Sequence, residues 1–340
     1  MLASIYAAAA SARRRYYESH RRQRRLERPV ISVGNLRVGG TGKTPTVEHV
    51  ARILVEMGER PAILSRGYRR ASGVEGVVVV SDGRRLRADL GRSGDEPLML
   101  ARAVEQARVL VSADRYLAGR VAELHLDATV HVLDDGFQHL PLARGTDLII
   151  VSPEEIADAR TLPTGRLREP LRAASSAHAV LVPSANGEEA LAAAARLGVE
   201  VAFRLERVSG EPRRLDLLNP SAPARMRTPV LAVAGVARPD RFFAEARSGG
   251  WDVRRTAAFR DHHRYGRADI ASIVDAARSA GARAILTTEK DLVKLLPFRP
   301  IPLPVIWLPL AVRIEPARAF RDWLAARLAA ERLRGGEAAA

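Results

Sequence analysis

The sequence PVISVGNLRVGGTGKT, residues 29–44, decides the fold of this chain. Its first five residues are typical of a buried strand, and the glycine-rich loop that follows ends in Gly-Lys-Thr, where a helical pattern begins. In such a loop, backbone N–H groups turn inward around phosphate oxygens, and the N-terminus of the helix adds a partial positive charge. The stretch therefore predicts a phosphate-binding loop between a strand and a helix.

This loop supplies the predicted nucleotide-binding residues, which are Gly39, Gly40, Thr41, Gly42, Lys43 and Thr44. The Lys43 ammonium group can reach the β- and γ-phosphates, and the Thr44 hydroxyl can ligate Mg²⁺. The strict form of the motif has glycine where this chain has Arg37. The alternative is an ordinary glycine-rich turn. Lys43 is one of only three lysines among 54 basic residues, which favours a specific role for it.

Strand and helix patterns alternate along most of the chain, which is typical of a mostly parallel sheet covered by helices. The pattern restarts near residue 229, after a stretch rich in Pro and Arg. We therefore predict an α/β fold with a P-loop NTPase-like, mostly parallel sheet that has helices on both faces, plus a smaller C-terminal α/β domain. The predicted segments are an N-terminal amphipathic helix at 1–28, a P-loop domain at 29–200, a two-stranded connector at 201–220 and a C-terminal domain at 221–340.

The segment DDGFQH, residues 134–139, directly follows an apolar strand. Carboxylates at the carboxyl end of a parallel strand lie beside a phosphate loop of the same sheet. Two adjacent aspartates are costly unless a cation is nearby, so Asp134 and Asp135 predict a Mg²⁺ site. A surface Asp-Gly turn is the alternative.

Two further segments carry titratable side chains. In GDEP, residues 94–97, Asp95 could be a helix N-cap or a base, and Glu96 could belong to a first helical turn or bind metal. In DHHRY, residues 261–265, His262 could pair with a carboxylate to tune a base, although a histidine pair is more often structural. The sequence has no third ligand at zinc spacing. SRGY, LPTGRLREP and TTEKD could also be functional, although each of them taken singly is more often turn chemistry.

Composition excludes several classes of protein. The chain has no cysteine, which excludes disulfides, cysteine zinc sites, iron–sulfur clusters and thiol catalysis. Its net charge of +15 is weak support for a nucleic-acid partner, because nearly all of the positive charge is arginine and no recognition motif is present. We therefore expect no nucleic acid among its partners.

The first 28 residues combine an apolar head, MLASIYAAAASA, with eight arginines opposed by two glutamates. Twelve apolar residues are too few to span a bilayer, and a secretory signal has the opposite order of charge and apolar residues. Such a helix can lie on an anionic membrane surface. A solvated helix packed on the domain is the alternative.

Taken together, the motifs VGGTGKTP, SRGY, GDEP, DDGFQH, LP-x-G-x-x-REP, DHH and TTEKD resemble the tetraacyldisaccharide 4′-kinase family of Gram-negative lipid A biosynthesis. The resemblance covers residues 29–295. It implies ATP and Mg²⁺ as cofactors, and transfer of phosphate to the 4′-hydroxyl of a tetraacyl glucosamine disaccharide 1-phosphate. It also implies a peripheral location at the cytoplasmic face of the inner membrane, with the N-terminal helix on the anionic surface. We expect a monomer.

The resemblance also implies roles for single residues. Asp95 matches the general base and His262 its histidine partner, and Lys43 and Asp135 match residues at the reacting phosphate. Metal-associated positions are Thr44, Glu96 and Asp134. Positions associated with the sugar headgroup are Arg66, Tyr68, Gln138 and His139. Arg37 and Arg166 depart from the family pattern.

The alternative function is a P-loop switch ATPase of the membrane-partitioning or targeting kind, which also uses G-G-x-G-K-T loops. Such a protein hydrolyses ATP with a protein or DNA partner and has no lipid acceptor. The apolar N-terminus and the DHH segment disfavour this alternative.

Overall fold

A computed structural model describes residues 2–19, 22–67, 76–215, 222–223 and 228–337. The strands in these residues are β1 (Val30–Asn35), β2 (Pro61–Ser65), β3 (Val78–Asp82), β4 (Arg108–Val111), β5 (Val130–Asp134), β6 (Thr146–Ile150), β7 (Ala179–Val182), β8 (Ala202–Ser209), β9 (Arg213–Leu215), β10 (Ala222–Pro223), β11 (Val230–Ala234), β12 (Val253–Ala258), β13 (Ala284–Thr288), β14 (Val305–Leu308) and β15 (Leu310–Glu315). The helices are α1 (Leu2–Ser19), α2 (Lys43–Glu56), α3 (Leu90–Ser93), α4 (Asp95–Ala103), α5 (Arg115–His125), α6 (Pro153–Ala157), α7 (Gly187–Leu197), α8 (Pro239–Ser248), α9 (Arg267–Ser279), α10 (Glu289–Leu295) and α11 (Ala317–Glu337).

The chain divides into two compact units. The first contains Met1–Arg207 together with Val312–Ala340, and the second contains Val208–Ala311. The larger sheet has the strand order β15-β8-β7-β6-β1-β5-β2-β4-β3, and the smaller has the order β10-β9-β14-β13-β11-β12. The predicted α/β class, with a mostly parallel sheet and a second, smaller sheet, is confirmed.

The centre of the larger sheet is parallel, and its strands are buried on both faces. β1 pairs in parallel with β5 on one side and with β6 on the other, whereas the edge strand β3 runs antiparallel to β4. Buried parallel strands need apolar side chains in both directions, which explains the continuous apolar runs of the sequence. Helix α2 covers one face through its buried residues Thr46, Val47, Val50, Ala51 and Leu54.

The smaller sheet is also parallel at its centre, where β14, β13, β11 and β12 lie side by side. β9 adds antiparallel to β14. Helices α8 and α9 pack on this sheet through side chains such as Phe242, Phe243, Ile273 and Ala277.

This organisation differs from the predicted segments at two places. The two strands predicted as a connector belong to different sheets, because β8 pairs in parallel with β7 and β9 pairs with β14. Residues 312–340, predicted as part of the C-terminal domain, belong to the first unit. Contacts between α11 and that unit explain the difference, since Phe320 packs edge-on against Phe203 and Glu331 accepts a hydrogen bond from Thr146 at 2.7 Å.

Helix α1 belongs to the first unit and is tied to it by one buried arginine. The Arg14 side chain donates to Glu169, to Ser176 and to the carbonyl oxygen of Phe137. Along the described ranges of the chain, no helix has the length and apolar character that crossing a membrane requires.

Candidate active site

The phosphate loop joins β1 to α2, as predicted. Gly39 and Gly42 have φ angles of 108° and 88°, in the left-handed region that side chains disfavour, and α2 begins at Lys43. Lys43 Nζ donates to Asn35 Oδ1 at 3.0 Å, and Asn35 Nδ2 donates to Thr41 Oγ1 at 2.9 Å. Asn35, the last residue of β1, therefore holds the lysine and the loop together.

The acidic pair lies beside this loop because β5 is the parallel neighbour of β1, with Asp134 in register with Val33. Asp134 is buried at the end of its strand and accepts a hydrogen bond from Ser65 Oγ at 3.2 Å. Asp135 follows with a φ of 54°, a conformation that few residues other than glycine adopt. This turn points the second carboxylate toward Lys43, whose Nζ lies 3.6 Å from Asp135 Oδ1.

The loop LPTGRLREP, residues 162–170, also contacts this cluster. Arg168 Nη1 donates to Asp135 Oδ2 at 2.8 Å and to Gln138 Oε1 at 3.2 Å. The backbone N–H of Arg168 donates to the Leu36 carbonyl, and the N–H of Val38 donates to the Arg166 carbonyl. The loop therefore runs alongside the phosphate loop, and Arg166 contributes to this contact through its backbone.

The electrostatics of this cluster suit a ligand with both anionic and cationic parts. Burial, together with the charge of Asp135, raises the pKa of Asp134 to about 6. Burial lowers the pKa of Lys43, an effect that Asp135 opposes. Carboxylates that cannot both ionise comfortably alone are stabilised by a divalent cation, and an ammonium group in a glycine-rich loop suits phosphate oxygens.

Three buried polar atoms near this cluster accept or donate no hydrogen bond in the described part of the protein: Asp135 Oδ1, Arg115 Nε and His139 Nε2. Burial, with the charge of Arg66, lowers the pKa of Arg115 to about 10. This value is still above 7, so the guanidinium group stays cationic at pH 7. Burial, with the charges of Arg115 and Arg144, lowers the pKa of His139 to about 3, so its ring is neutral at pH 7. Buried polar atoms normally have a hydrogen-bond partner, which a bound molecule or an ordered water would supply here.

The oxygen-bearing side chains beside the phosphate loop are of the kinds that bind Mg²⁺ together with a nucleotide. Thr44 is the second residue of α2, next to Lys43, and the carboxylates of Asp134 and Asp135 lie at the end of the adjacent strand β5. Hydroxyl and carboxylate oxygens are the ligands that Mg²⁺ prefers. The buried carboxylate of Asp134 is one such donor. The donor set therefore fits a Mg²⁺–nucleotide complex.

Of the four predicted headgroup residues, the structure describes Arg66, Gln138 and His139. Gln138 Nε2 donates to the Asn35 carbonyl at 2.9 Å, so Gln138 lies at the end of β1, where the phosphate loop begins. Arg66 is exposed after β2 and is close enough to Arg115 to contribute to lowering its pKa. Tyr68 lies outside the described residues.

Asp95 and Glu96 form the first turn of α4, which follows Gly94 with a φ of 85°. Asp95 is buried, while Glu96 is partly exposed. Asp95 begins its helix, whereas the N-cap is Gly94, so the predicted N-cap alternative for Asp95 is wrong. A buried carboxylate at this position benefits from the partial positive charge of the helix N-terminus.

In the second unit, His262 belongs to a segment that we call the DHH segment, residues 261–263. The backbone φ angle of His262 is 59°, in the left-handed region. His262 Nε2 lies 3.1 Å from Lys290 Nζ, and His263 pairs with Asp269 at 3.1 Å. The structure therefore separates the roles of the two histidines, since His263 packs between Phe259 and Tyr265 as a structural residue would.

Sequence reasoning missed four side chains of the cluster, namely Asn35, Ser65, Arg115 and Arg168. Three of them lie inside motifs whose predicted roles belong to other residues. Arg115 had only one signal, its position at the helix start that follows a parallel strand, where ligands of such sheets bind.

A glycine-rich phosphate loop beside an acidic pair on the adjacent parallel strand defines a P-loop nucleotide-binding protein of the α/β class. The sequence profile of the tetraacyldisaccharide-1-P 4′-kinase (LpxK) family matches residues 1–329. The chain belongs to this family.

Individual relatives agree with this assignment. The tetraacyldisaccharide 4′-kinase of Geobacter metallireducens is 41% identical over 286 residues, covering 81% of each chain. That of Koribacter versatilis is 41% identical over 300 residues, covering 86% of this chain and 87% of the relative. The crystal structure of LpxK from Aquifex aeolicus in complex with ATP is 28% identical. It covers 96% of this chain and 100% of that one, with a TM-score of 0.76.

Proposed function

We propose that this protein transfers the γ-phosphoryl group of ATP to the 4′-hydroxyl of a tetraacyl glucosamine disaccharide 1-phosphate, giving lipid IVA in lipid A biosynthesis. The observation that carries the proposal is the contact set of Asp135, which lies between Lys43 of the phosphate loop and Arg168 of the REP motif. Membership of the kinase family supports the choice of acceptor.

The residues of the loop bind and orient the nucleotide. The N–H groups of residues 39–44 surround the phosphates, and the Lys43 ammonium group stabilises negative charge that develops on the transferred group. Asn35 holds Nζ at 3.0 Å, so the ammonium group is oriented before the nucleotide arrives. Arg115, which stays cationic at pH 7, has an Nε–H available for an anionic ligand.

We propose that the metal ion is bound by Thr44, Asp134 and Glu96. We propose that Asp135 lies at the reacting phosphate. A Mg²⁺ ion held by these residues would neutralise negative charge on the phosphates. The Ser65 hydroxyl holds one oxygen of Asp134, which orients its carboxylate before metal binding.

A sugar hydroxyl is a poor nucleophile, so a base must accept its proton during transfer. We propose Asp95 as this base and His262 as the histidine that assists it, and the support for both is the motif match. The burial of Asp95 at a helix start is consistent with a positioned carboxylate rather than a solvated one.

Arg66, Tyr68, Gln138 and His139 are proposed to contact the sugar headgroup. The neutral ring of His139 has an unsatisfied Nε2, which suits a hydroxyl partner better than an ionic one. Gln138 donates to the last residue of β1 and accepts a hydrogen bond from Arg168, so its side chain is held between the two segments.

A lipid acceptor requires that the enzyme reach a membrane surface. Leu2 and Ile5 of α1 are exposed, and arginines continue the same helix. We propose that α1 lies on the anionic cytoplasmic leaflet of the inner membrane as a peripheral element, and that the protein acts as a monomer.

The test is an assay of purified protein with ATP, Mg²⁺ and the tetraacyl disaccharide in detergent. We expect lipid phosphorylation, and its loss in Asp95→Ala. A switch ATPase would instead hydrolyse ATP without lipid and would ignore the disaccharide. ATP turnover that is unchanged by the lipid would contradict the kinase proposal, and full activity of Asp95→Ala would contradict the assignment of the base.

A further inference from the structure

Helix α10 carries two of the three lysines in a chain that otherwise uses arginine for its positive charges. The phosphate loop accounts for Lys43. Lys290 and Lys294 lie one turn apart on α10, within or just beyond the TTEKD motif. Lysine presents a compact charge with three donors, which suits a side chain that contacts two neighbouring acceptors at once.

Lys290 contacts the DHH segment directly. Its Nζ lies 3.1 Å from His262 Nε2 and 3.3 Å from Asp261 Oδ1. An ammonium group has donors and no acceptor, so Nε2 of the imidazole must accept. A neutral imidazole carries one N–H, which is then on Nδ1. The carboxylate of Asp261 is farther from Nε2, at 3.8 Å, so the contact with Lys290 favours one orientation and the Nδ1–H tautomer of the His262 ring.

The backbone of His262 also needs support. Its φ of 59° lies in the left-handed region, and a residue with a side chain keeps that conformation only where its surroundings hold it. The Lys290 side chain is four-fifths buried, so its ammonium group has a restricted set of positions. Lys290 is thus suited to hold the segment rather than to extend into solvent.

Helix α10 is itself held by a buried network around Asp291, which is fully buried. Asp291 accepts hydrogen bonds from Gly235 N–H at 2.8 Å, Thr288 Oγ1 at 2.8 Å and Tyr265 OH at 3.2 Å. Lys294 Nζ lies 2.6 Å from the same carboxylate. Tyr265 follows the DHH segment closely in the chain, so this network sets the distance between α10 and that segment.

We propose that Lys290 is a positioning residue for His262 in the phosphoryl-transfer reaction, and that it acts by holding the Nδ1–H tautomer. The proposal rests on the role of His262 given above. In this tautomer the ring carries its N–H on Nδ1, on the side away from Lys290. That N–H can donate a hydrogen bond to a carboxylate base and so orient it. Lys294 and Asp291 supply the frame for this contact and are structural.

The experiment compares full-length Lys290→Met, Lys290→Arg and His262→Ala with the wild type. We expect Lys290→Met to lower kcat roughly 10- to 100-fold, a fraction of what general-base catalysis supplies, with the KM for ATP unchanged. Imidazole ¹⁵N spectra, with the His262 signals assigned by their loss in His262→Ala, should show that the Nδ1–H tautomer is no longer held. Lys290→Arg retains a cationic donor and should preserve the tautomer and part of kcat.

Arg278→Met, an exposed cation lost from the neighbouring helix α9, is the matched control and should leave kcat and the spectra unchanged. If His262→Ala keeps full activity, the role of His262 in the proposed function is wrong. If His262→Ala loses activity while Lys290→Met keeps kcat or the original tautomer, only the positioning role of Lys290 is wrong. A fall in melting temperature that accounts for the lost activity of Lys290→Met would equally overturn it.

Discussion

Arg14 of helix α1 and Glu169 of the loop LPTGRLREP form a buried, bidentate ion pair. Nε of the arginine donates to Oε1 at 3.0 Å, Nη2 donates to Oε2 at 2.7 Å, and both side chains are more than nine-tenths buried. The same guanidinium group lies over the Phe137 ring, 4.4 Å from its centroid. The helix proposed to face the membrane is therefore joined to the segment that carries the acidic pair.

Breaking this pair should destabilise the protein, because the remaining charge is left buried without its partner. We expect Glu169→Gln and Arg14→Met each to lower the free energy of unfolding by about 3 kcal/mol. Denaturant unfolding monitored by circular dichroism provides the measurement. Arg172→Met removes an exposed contact to Ser11 of the same helix and should change stability by less than about 1 kcal/mol. Equal effects for the buried and the exposed arginine would contradict the argument.

Lys43→Met should abolish most phosphoryl transfer. The ammonium group is held by Asn35 and lies beside Asp135, where it can stabilise charge on the transferred phosphate. Loss of one such group should lower kcat by at least about 100-fold. Lys43→Arg should not restore activity, because a planar guanidinium group does not replace a compact ammonium group in a closed loop. Steady-state kinetics with ATP and the lipid test this.

The control for Lys43 is Arg52→Met, which removes an exposed cation from the same helix. Its activity should equal that of the wild type. Comparable activity of Lys43→Met and Arg52→Met would remove the phosphate role of Lys43.

Asp134→Asn should stabilise the protein in the absence of nucleotide and metal. Because the pKa of Asp134 is raised from 3.8 to about 6 on folding, ionisation costs the folded state free energy above pH 6. The cost is up to about 3 kcal/mol at pH 8, since a tenfold change in proton affinity corresponds to about 1.4 kcal/mol. It disappears as pH falls below about 4, where the carboxyl group is protonated in both the folded and the unfolded chain. The gain in melting temperature should therefore be largest at pH 8 and should shrink toward pH 4, while phosphoryl transfer is lost.

Asp82→Asn provides a control of opposite sign. Hydrogen bonds from Arg84, Arg85 and Arg87 outweigh burial and lower the pKa of Asp82 to about 2, so its charge stabilises the folded state above pH 4. We expect this variant to melt at a lower temperature than the wild type at pH 8. A stabilising Asp82→Asn, or a destabilising Asp134→Asn, would contradict the electrostatic account.

Membrane binding should depend on the apolar head of α1. Leu2 and Ile5 are 68% and 59% exposed, so glutamates at both positions would oppose insertion into an anionic surface without disturbing the core. In flotation assays with phosphatidylglycerol-containing vesicles, we expect the double variant Leu2→Glu/Ile5→Glu to lose most of its binding. Activity on detergent-solubilised lipid should remain.

Leu333→Glu makes the same change on an exposed leucine of α11 and should bind vesicles like the wild type. Raising salt should weaken binding of both the wild type and this control, because part of the attraction is between arginines and anionic lipid. Vesicle binding by the double variant at wild-type level would show that α1 is not the membrane contact.

Much of the site was predictable because short-range sequence encodes it. The loop from Gly39 to Thr44 is marked by glycines, a lysine and a hydroxyl at fixed spacing between strand and helix patterns. The position of Asp134 beside that loop also followed, since parallel strands bring their carboxyl ends to one edge of a sheet. The side chains that orient these groups were not predictable. Asn35 lies eight residues before Lys43, and Arg168 lies 33 residues after Asp135.

The sequence by itself determined the α/β class, the phosphate loop and the family, because periodicity and motif spacing are local properties of the chain. Only the tertiary structure decided that β8 and β9 join different sheets, that α11 packs on the first unit, and that Lys290 faces His262. Those outcomes depend on which apolar faces bury one another and which charges meet across long separations. Such choices minimise the free energy of the whole packed chain, and no short window of sequence contains them.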